Sequence, residues 1–440
     1  MTAIRQLFAA AAVLVALAVP ARAEIAIQEV TSPLGITAWL VEEHGIPFTA
    51  LNIRFLGGTS LDLPGKRGAV NLMTGLLEEG AGAMDAQGFA AARDALAAEF
   101  SFRSDQDGVS VSSRFLTENR EAALALLKQA LITPRFDADA LERVRGQVLA
   151  GLRGNEKDPD AIAGALMDAR IYGAHPYGSD GDGTIDSVTT LSRDDILAAH
   201  LGAMARDRIF VAAVGDISAA ELGPMLDALL GELPATGTPQ PPRAALTLTG
   251  GTVVQEFPGP QSVVQFAQGG IAFDDPDYFA AAVLNELLGG GRFSARLMQE
   301  VREKRGLTYG IGTAMANYRQ AETMVGGFSS ANDKVGEAIQ VVKDVWAQVA
   351  SEGVTPEELT ATKTYMTGEY ALRFDGNGPI AGILVGMQIL GLPLDYPKLR
   401  NARVDAVTPD DMKRVAARLL QPGQLAFVVV GQPAGVASTP

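Results

Sequence analysis

Apolar and polar residues alternate along FTALNIRFLGG and again along SVVQFAQGGIAF, a pattern typical of strands with one buried face. After each of these runs the apolar residues recur every three to four positions, as in GAVNLMTGLL and YFAAAVLNELLGG, which predicts helices with one apolar side. Strands and helices follow one another in this way through both halves of the chain. The pattern therefore predicts an α+β protein with helices packed on one face of a largely antiparallel sheet.

The two halves carry similar elements in the same order. Phe115 and Asn119 recur as Phe328 and Asn332, 213 positions later in both cases. The closing strands IFVAAVGDI and LAFVVVGQ recur at nearly the same offset. Because several elements are repeated in one order, we expect that a single fold has been duplicated.

A stretch rich in Pro, Gly and Thr, LPATGTPQPPRAA, separates the halves and predicts an exposed linker. The chain of 440 residues is also long enough for two ordinary domains. We therefore predict a first domain over residues 24–232, a linker over 233–250 and a second domain over 251–436.

The N-terminus has the pattern of a secretory signal peptide over residues 1–23. Arg5 supplies a positive charge, Leu7 to Val19 form a short apolar run, and Ala21-Arg22-Ala23 resembles a cleavage site. The run is too short to span a membrane comfortably. We expect an exported, periplasmic protein whose signal peptide is removed.

Composition narrows the possible functions further. The formal net charge of −15 argues against nucleic acid or an anionic membrane as the main partner. The chain has no cysteine, which excludes disulfides, thiol catalysis and thiolate metal sites. Its three histidines, His44, His175 and His200, have no metal-ligand spacing, and we interpret them as turn or core residues.

The most informative segment is LGGGRFSARLMQEVREKRGLTYG, residues 288–310. Ser294 is placed to cap a helix, Gly306 is placed to end it, and LTYGIG then predicts a strand. Arg302 lies in the last predicted turn and Tyr309 in the predicted strand. We expect the reversal between helix and strand to bring these two side chains together.

This segment resembles the second domain of the pitrilysin/insulinase-type zinc peptidases, also called inverzincins, which include the mitochondrial processing peptidase. The resemblance covers nearly all of the chain after residue 23. It implies two homologous domains that face each other like a clamshell. It also implies that Arg302 and Tyr309 hold the substrate carbonyl, and the oxyanion formed from it, opposite a zinc ion.

The zinc half of that site is missing from the first domain. The family binds zinc through H-x-x-E-H on a helix and a glutamate further along the chain. Here GKRGAVNLMTGLLEEGA places Asn71, Thr74 and Gly75 at the motif positions, and Gly151 stands at the distal glutamate. Because a catalytic zinc needs three protein ligands, we predict that this chain binds none.

The resemblance implies a catalytically incomplete subunit of an exported heterodimeric zinc endopeptidase. A homologous H-x-x-E-H-bearing partner would supply the zinc, and Arg302 and Tyr309 would act on peptide substrates in trans. The alternative is a scaffold or peptide-binding protein of the same fold, since loss of the zinc ligands is equally expected there. A serine or threonine hydrolase is disfavoured because no G-x-S-x-G motif is present.

Overall fold

A computed structural model describes residues 25–439, so the predicted signal peptide lies outside the described residues. These residues form thirteen strands and fourteen α-helices. The strands are β1 (Gln28–Thr31), β2 (Thr37–Glu42), β3 (Phe48–Leu56), β4 (Gly80–Ala81), β5 (Met84–Asp85), β6 (Glu99–Asp105), β7 (Gly108–Leu116), β8 (Ile209–Gly215), β9 (Gly251–Glu256), β10 (Gln261–Gly269), β11 (Ile311–Tyr318), β12 (Ala321–Ala331) and β13 (Ala426–Gly431).

The fourteen helices are between 6 and 18 residues long. They are α1 (Ala69–Gly75), α2 (Ala86–Ala95), α3 (Arg120–Ile132), α4 (Ala138–Asn155), α5 (Pro159–Tyr172), α6 (Ile185–Thr190), α7 (Arg193–Ala203), α8 (Ala219–Leu230), α9 (Tyr278–Gly289), α10 (Val335–Glu352), α11 (Pro356–Tyr370), α12 (Asn377–Ile389), α13 (Tyr396–Asp405) and α14 (Pro409–Leu419).

Two large sheets share one topology. The first has the order β1-β2-β8-β3-β7-β6 and the second the order β9-β13-β10-β12-β11. Apart from the extra strand β1, each position matches, and only β2–β8 and β9–β13 pair in parallel. The predicted α+β class and the duplication are therefore confirmed.

Each sheet buries one face under helices of its own half, as the alternation predicts. Leu51, Ile53 and Phe55 of β3 all point into the first core and are almost completely buried. In the second core, Phe266 packs against Trp346 and Phe427, with ring centroids 5.8 and 5.7 Å apart. Burial of each such side chain stabilises the fold by about 1.5–3 kcal/mol.

The opposite face of each sheet is covered by a helix from the other half. Helix α12 lies on β8 and β3 of the first sheet, where Leu384 packs in one cluster with Trp39 and Val214. Helix α5 lies on β10 and β13 of the second sheet. The prediction of helices on one face only is thus wrong, because this exchange covers the second face of both sheets.

The predicted linker lies in a stretch, 231–250, that has neither helix nor strand. It is fastened at several points: Thr238 donates its N–H to Gly202 at 2.9 Å, and Thr247 donates to Ile171 at 2.8 Å. Ala244 donates to Gln320 of the second half at 2.8 Å. The linker is therefore held against both halves by backbone hydrogen bonds. Within 25–439 the helices are all too short or too polar to cross a membrane.

Candidate functional site

Arg302 lies on a π-helical turn, Met298–Glu303, that follows the glycine-rich segment. The wide winding is visible in the bond from the Lys304 N–H to the Gln299 carbonyl at 3.0 Å. Val301 and Leu297 point into the second core and are completely buried. Turns of this kind are frequent at functional sites.

Ser294 does not cap this helix, contrary to the prediction. The π-helical turn is preceded by Leu297 in helical conformation, with no side-chain cap. Gly306 does end it: its φ is +60°, and its N–H donates to the Arg302 carbonyl at 2.8 Å. The left-handed conformation is one that glycine adopts without steric cost.

Tyr309 lies in a bend before β11 and not in the strand, so that prediction is wrong. Pairing of β11 with β12 begins only at Ile311, which faces Phe328. The preceding loop is instead tied to β12 by Thr308, whose hydroxyl lies 2.7 Å from the Ser329 carbonyl. Because Tyr309 is held outside the ladder, its side chain is 88% exposed.

Arg302 and Tyr309 do come together, as their spacing predicts. The guanidinium carbon of Arg302 lies 4.9 Å from the centroid of the Tyr309 ring, over its face. It also lies 4.6 Å from the centroid of Phe293, a residue that the sequence reasoning missed. Such cation–π contacts stabilise by about 0.5–1 kcal/mol at exposed sites. The available signal was an aromatic residue in the turn just before this helix.

The turn that carries Phe293 is anchored on both sides. Arg292 donates through Nε to Glu286 at 2.8 Å and lies over the ring of Tyr365, 4.5 Å from its centroid. Arg296 makes a bidentate pair with Glu358, both distances being 2.7 Å. Burial raises the pKa of Glu286, an effect that Arg292 opposes. These arginines therefore hold the turn in place.

The glycine run 289–291 allows close approach of α9 to the second sheet. A Cβ on Gly289 would lie 2.7 Å from the backbone nitrogen of Thr313 in β11. Real Cβ atoms do not approach so closely, so only glycine fits here. The end of α9 therefore packs directly against β11.

The four degenerate zinc positions lie on α1 and α4. Asn71 accepts a weak hydrogen bond from Ser104 of β6 at 3.4 Å. Thr74 is only 4% exposed, and its hydroxyl donates to the Val70 carbonyl one turn back at 2.7 Å. Gly75 is exposed, and Gly151 has open space where a side chain would begin.

These residues do not fit a zinc ion. One amide, one hydroxyl committed to its own helix and two glycines supply none of the three ligands that catalytic zinc requires. Across residues 25–439 no group of three or more His, Asp or Glu residues is arranged to hold a metal. The neighbouring acids are engaged elsewhere: Glu78 pairs with Arg93 at 2.5 Å and Glu79 pairs with Arg143.

The three histidines lie in separate places. His175 accepts the N–H of Tyr177 at 3.2 Å in a turn, and His200 is buried beside the Leu131 carbonyl at 2.8 Å. Burial lowers the pKa of His200. His44 pairs with Asp216 at 2.7 Å, and this bond raises the pKa of the imidazole. Each is explained by local structure, as predicted.

The site is therefore divided. In the described part of the chain, no hydrogen bond, ion pair or ring contact joins Arg302 or Tyr309 to Asn71, Thr74, Gly75 or Gly151. In the first half, α1 carries no metal ligand at Asn71, Thr74 or Gly75. The second half offers a half-buried guanidinium beside an exposed phenol, a pair able to donate hydrogen bonds to an anionic oxygen.

Comparisons with known proteins agree with this division. Residues 190–366 match the family model described as the peptidase M16 inactive domain. The crystal structure of a peptidase M16 inactive domain from Pseudomonas fluorescens superposes with a TM-score of 0.88 and 30% identity, covering 94% of this chain and 100% of that one.

Two curated relatives extend the comparison over most of the chain. The non-peptidase homolog YmxG of Helicobacter pylori is 24% identical over 391 residues, covering 88% of this chain and 90% of that protein. The probable mitochondrial-processing peptidase subunit beta of Schizosaccharomyces pombe is 23% identical over 332 residues, covering 71% of each.

Fold and site together define a catalytically incomplete protein built on a two-domain metallopeptidase scaffold. The chain belongs to the peptidase M16 family, among its inactive members. The resemblance to the pitrilysin/insulinase-type peptidases is thereby confirmed.

Proposed function

We propose that this chain is the non-metal-binding subunit of a heterodimeric zinc endopeptidase. A homologous partner with an intact H-x-x-E-H motif supplies the zinc and the general base. This chain lends Arg302 and Tyr309 to the substrate carbonyl. The observation that carries the proposal is the guanidinium of Arg302, held against the exposed ring of Tyr309 on a chain without metal ligands.

The chemistry of peptide hydrolysis gives these two side chains a role. Attack on the carbonyl produces a tetrahedral intermediate with a negatively charged oxygen. Preorganised donors at that oxygen lower the barrier by about 3–4 kcal/mol each. The phenol of Tyr309 is one donor, and Arg302 is another that stays charged at any working pH.

The position of Tyr309 supports action in trans. At 88% exposure its side chain is directed away from the core of its own chain, and no hydrogen bond of its hydroxyl occurs within residues 25–439. The relative from Schizosaccharomyces pombe is named as one subunit of a peptidase. We expect the substrate to be an extended peptide bound between the chains, and the pair to work in the periplasm after export.

The test is reconstitution with an M16 homologue from the same genome that carries H-x-x-E-H. The mixture should cleave a quenched fluorescent peptide library, whereas this chain alone should not. Arg302→Ala and Tyr309→Phe should each lower kcat of the complex by about 100-fold, the cost of removing one oxyanion donor. Assembly, followed by size-exclusion chromatography with light scattering, should be unchanged.

Two matched variants control for loss of charge and of a hydroxyl. Arg305→Ala removes a neighbouring guanidinium that pairs with Glu300 at 2.7 Å. Tyr365→Phe removes an exposed phenol beside Arg292. Both should retain activity. Full activity of the Arg302 and Tyr309 variants would contradict the proposal.

The second candidate is a scaffold or peptide-binding protein without a role in turnover. It is favoured by the loss of every zinc ligand and by a relative named as a non-peptidase homolog. The same experiment separates the two. A scaffold would stimulate its partner equally well with or without Arg302 and Tyr309.

A further inference from the structure

We infer that Phe293 is a third member of this site, a positioning residue that holds the guanidinium of Arg302 in place beside Tyr309. The catalytic consequence rests on the proposed function, whereas the positioning is a property of this chain alone. Phe293 is 62% exposed, and its ring lies against the guanidinium of Arg302 and not in the core.

The contacts of Arg302 with two aromatic rings determine which of its atoms can bind a ligand. Its guanidinium carbon lies over the faces of both rings, 4.6 Å from the centroid of Phe293 and 4.9 Å from that of Tyr309. The two rings make no aromatic contact with each other in the described structure, so the arginine is the element that joins them. These ring contacts involve the guanidinium carbon and use none of the N–H groups of Arg302. The N–H groups are therefore left to donate hydrogen bonds.

Within the described residues, the N–H groups of Arg302 make no good hydrogen bond. Nε lies 3.5 Å from Glu303 Oε1, a distance too long for a good hydrogen bond. Within residues 25–439 no acceptor bonds the two terminal nitrogens of Arg302. A guanidinium held against two aromatic rings, with its terminal N–H groups unpaired, is prepared to donate to an oxygen of a substrate.

Phe293 is itself fixed by the helix that carries Arg302. Gln299, on the same π-helical turn, donates through Nε2 to the Phe293 carbonyl at 2.7 Å. On the other side, Arg292 donates to Thr362 at 3.1 Å and to Glu286. The turn therefore pays little entropy to keep the ring where the guanidinium needs it.

The positioning is testable on this chain alone by NMR of arginine side chains. In protein labelled with ¹⁵N-arginine, the Nε–Hε signal of Arg302 is assigned by its loss in Arg302→Lys. Ring currents from the two faces shield this proton. Phe293→Ala and Phe293→Leu should move the signal downfield, and Phe293→Tyr should leave it nearly in place. Leu372→Ala, an exposed apolar residue outside the site, is the control.

The catalytic consequence is tested in the reconstituted complex. Phe293→Ala and Phe293→Leu should lower kcat by about two- to fivefold, the loss expected for one cation–π contact, with little change in KM. Phe293→Tyr should restore kcat, because it restores the ring face and not merely the apolar volume. A purely structural role would lower the melting temperature without this rescue pattern.

The outcomes separate the two ideas. An Arg302 signal that does not move in Phe293→Ala overturns the positioning role. A signal that moves, with kcat unaffected in both Phe293→Ala and Arg302→Ala, supports the positioning and contradicts the proposed function. A fall in kcat for Arg302→Ala alone keeps the proposed function and overturns the catalytic part of this inference.

Discussion

Tyr177 and Asp107 connect the two halves of the molecule through one hydroxyl. The Tyr177 hydroxyl donates to the Asp107 carboxylate, and the oxygen of that hydroxyl accepts the backbone N–H of Gln320 at 3.2 Å. The other carboxylate oxygen of Asp107 accepts the N–H of Arg319 at 2.8 Å. The turn between β6 and β7 is thus tied to the corresponding turn between β11 and β12 of the second half.

We predict that Tyr177→Phe loosens this connection. The change leaves the N–H of Gln320 without its partner and removes one donor from the Asp107 carboxylate. Since Tyr177 is completely buried, the loss should lower the free energy of unfolding by about 1–3 kcal/mol. Urea denaturation followed by circular dichroism measures it.

Tyr318→Phe is the matched control for this substitution. Tyr318 packs on Tyr177 with ring centroids 5.3 Å apart, but no hydrogen bond of its hydroxyl occurs within residues 25–439. It should therefore change stability by less than about 0.5 kcal/mol. Equal effects of the two substitutions would show that the junction depends on ring packing and not on the shared hydroxyl.

Asp168 on α5 should make stability depend on pH. Burial raises the pKa of this carboxyl to about 6, and the nearby charge of Asp180 adds to the effect. In the unfolded chain an Asp titrates near pH 4. Between about pH 4 and 6 the folded state therefore binds more protons than the unfolded state, so the free energy of unfolding falls as pH rises. Above pH 6 the loss is complete.

Asp168→Asn should consequently stabilise the protein at pH 7, by about 1–2 kcal/mol, and flatten the slope between pH 4 and 6. Part of the slope should remain, because burial also raises the pKa of Asp62 to about 6. Asp160→Asn, an exposed change on the same helix, is the control. Thermal unfolding at several pH values measures both, and a steeper slope in Asp168→Asn would refute the assignment.

The sequence predicted what depends on local pattern. Alternation in β3 and β10 located equivalent strands, because successive side chains of a strand point to opposite faces of the sheet. The spacing of Arg302 and Tyr309 predicted their contact, because a helix that ends at Gly306 must reverse direction. The resemblance to the zinc peptidases assigned positions 71 and 75 to metal ligands, and the chemistry of Asn71 and Gly75 then predicted that the ligands are lost.

Long-range placement could not be predicted in the same way. The apolar positions of α12 indicate that it is buried, but periodicity does not say which sheet covers it, and the structure places it on the sheet of the other half. The π-helical turn and the contact of Phe293 with Arg302 depend on packing around the turn. Tyr309 lies outside the strand because the preceding residue, Thr308, bonds to β12 through its side chain.

The exchanged helices predict that neither half is stable alone. Without α12, residues 25–232 would expose Trp39, Ala212 and Val214, all of which are buried in the whole chain. We expect this fragment to bind the dye ANS and aggregate, and co-expression with residues 233–439 to restore a soluble complex. In the intact chain Leu384→Ala should cost about 2–5 kcal/mol. A fragment that unfolds cooperatively without its complement would contradict this prediction.

The geometry around α1 predicts that zinc binding can be restored separately from catalysis. Histidines at 71 and 75 would lie four residues apart on one helix. A Cβ at Gly75 would stand 3.1 Å from the Val144 methyl group, a contact that a small side-chain shift relieves, and a Cβ at Gly151 meets open space.

The variant Asn71→His/Gly75→His/Gly151→Glu should therefore retain close to one zinc per chain after dialysis, measured by plasma mass spectrometry, whereas the wild type and Asn71→His alone should retain almost none. It should still cleave no peptide, because Thr74 cannot act as a general base at neutral pH. Stoichiometric zinc in the wild type would contradict the loss of the site. A folded triple variant without zinc would show that the backbone of α1 and α4, and not only its side chains, has departed from a metal-binding arrangement.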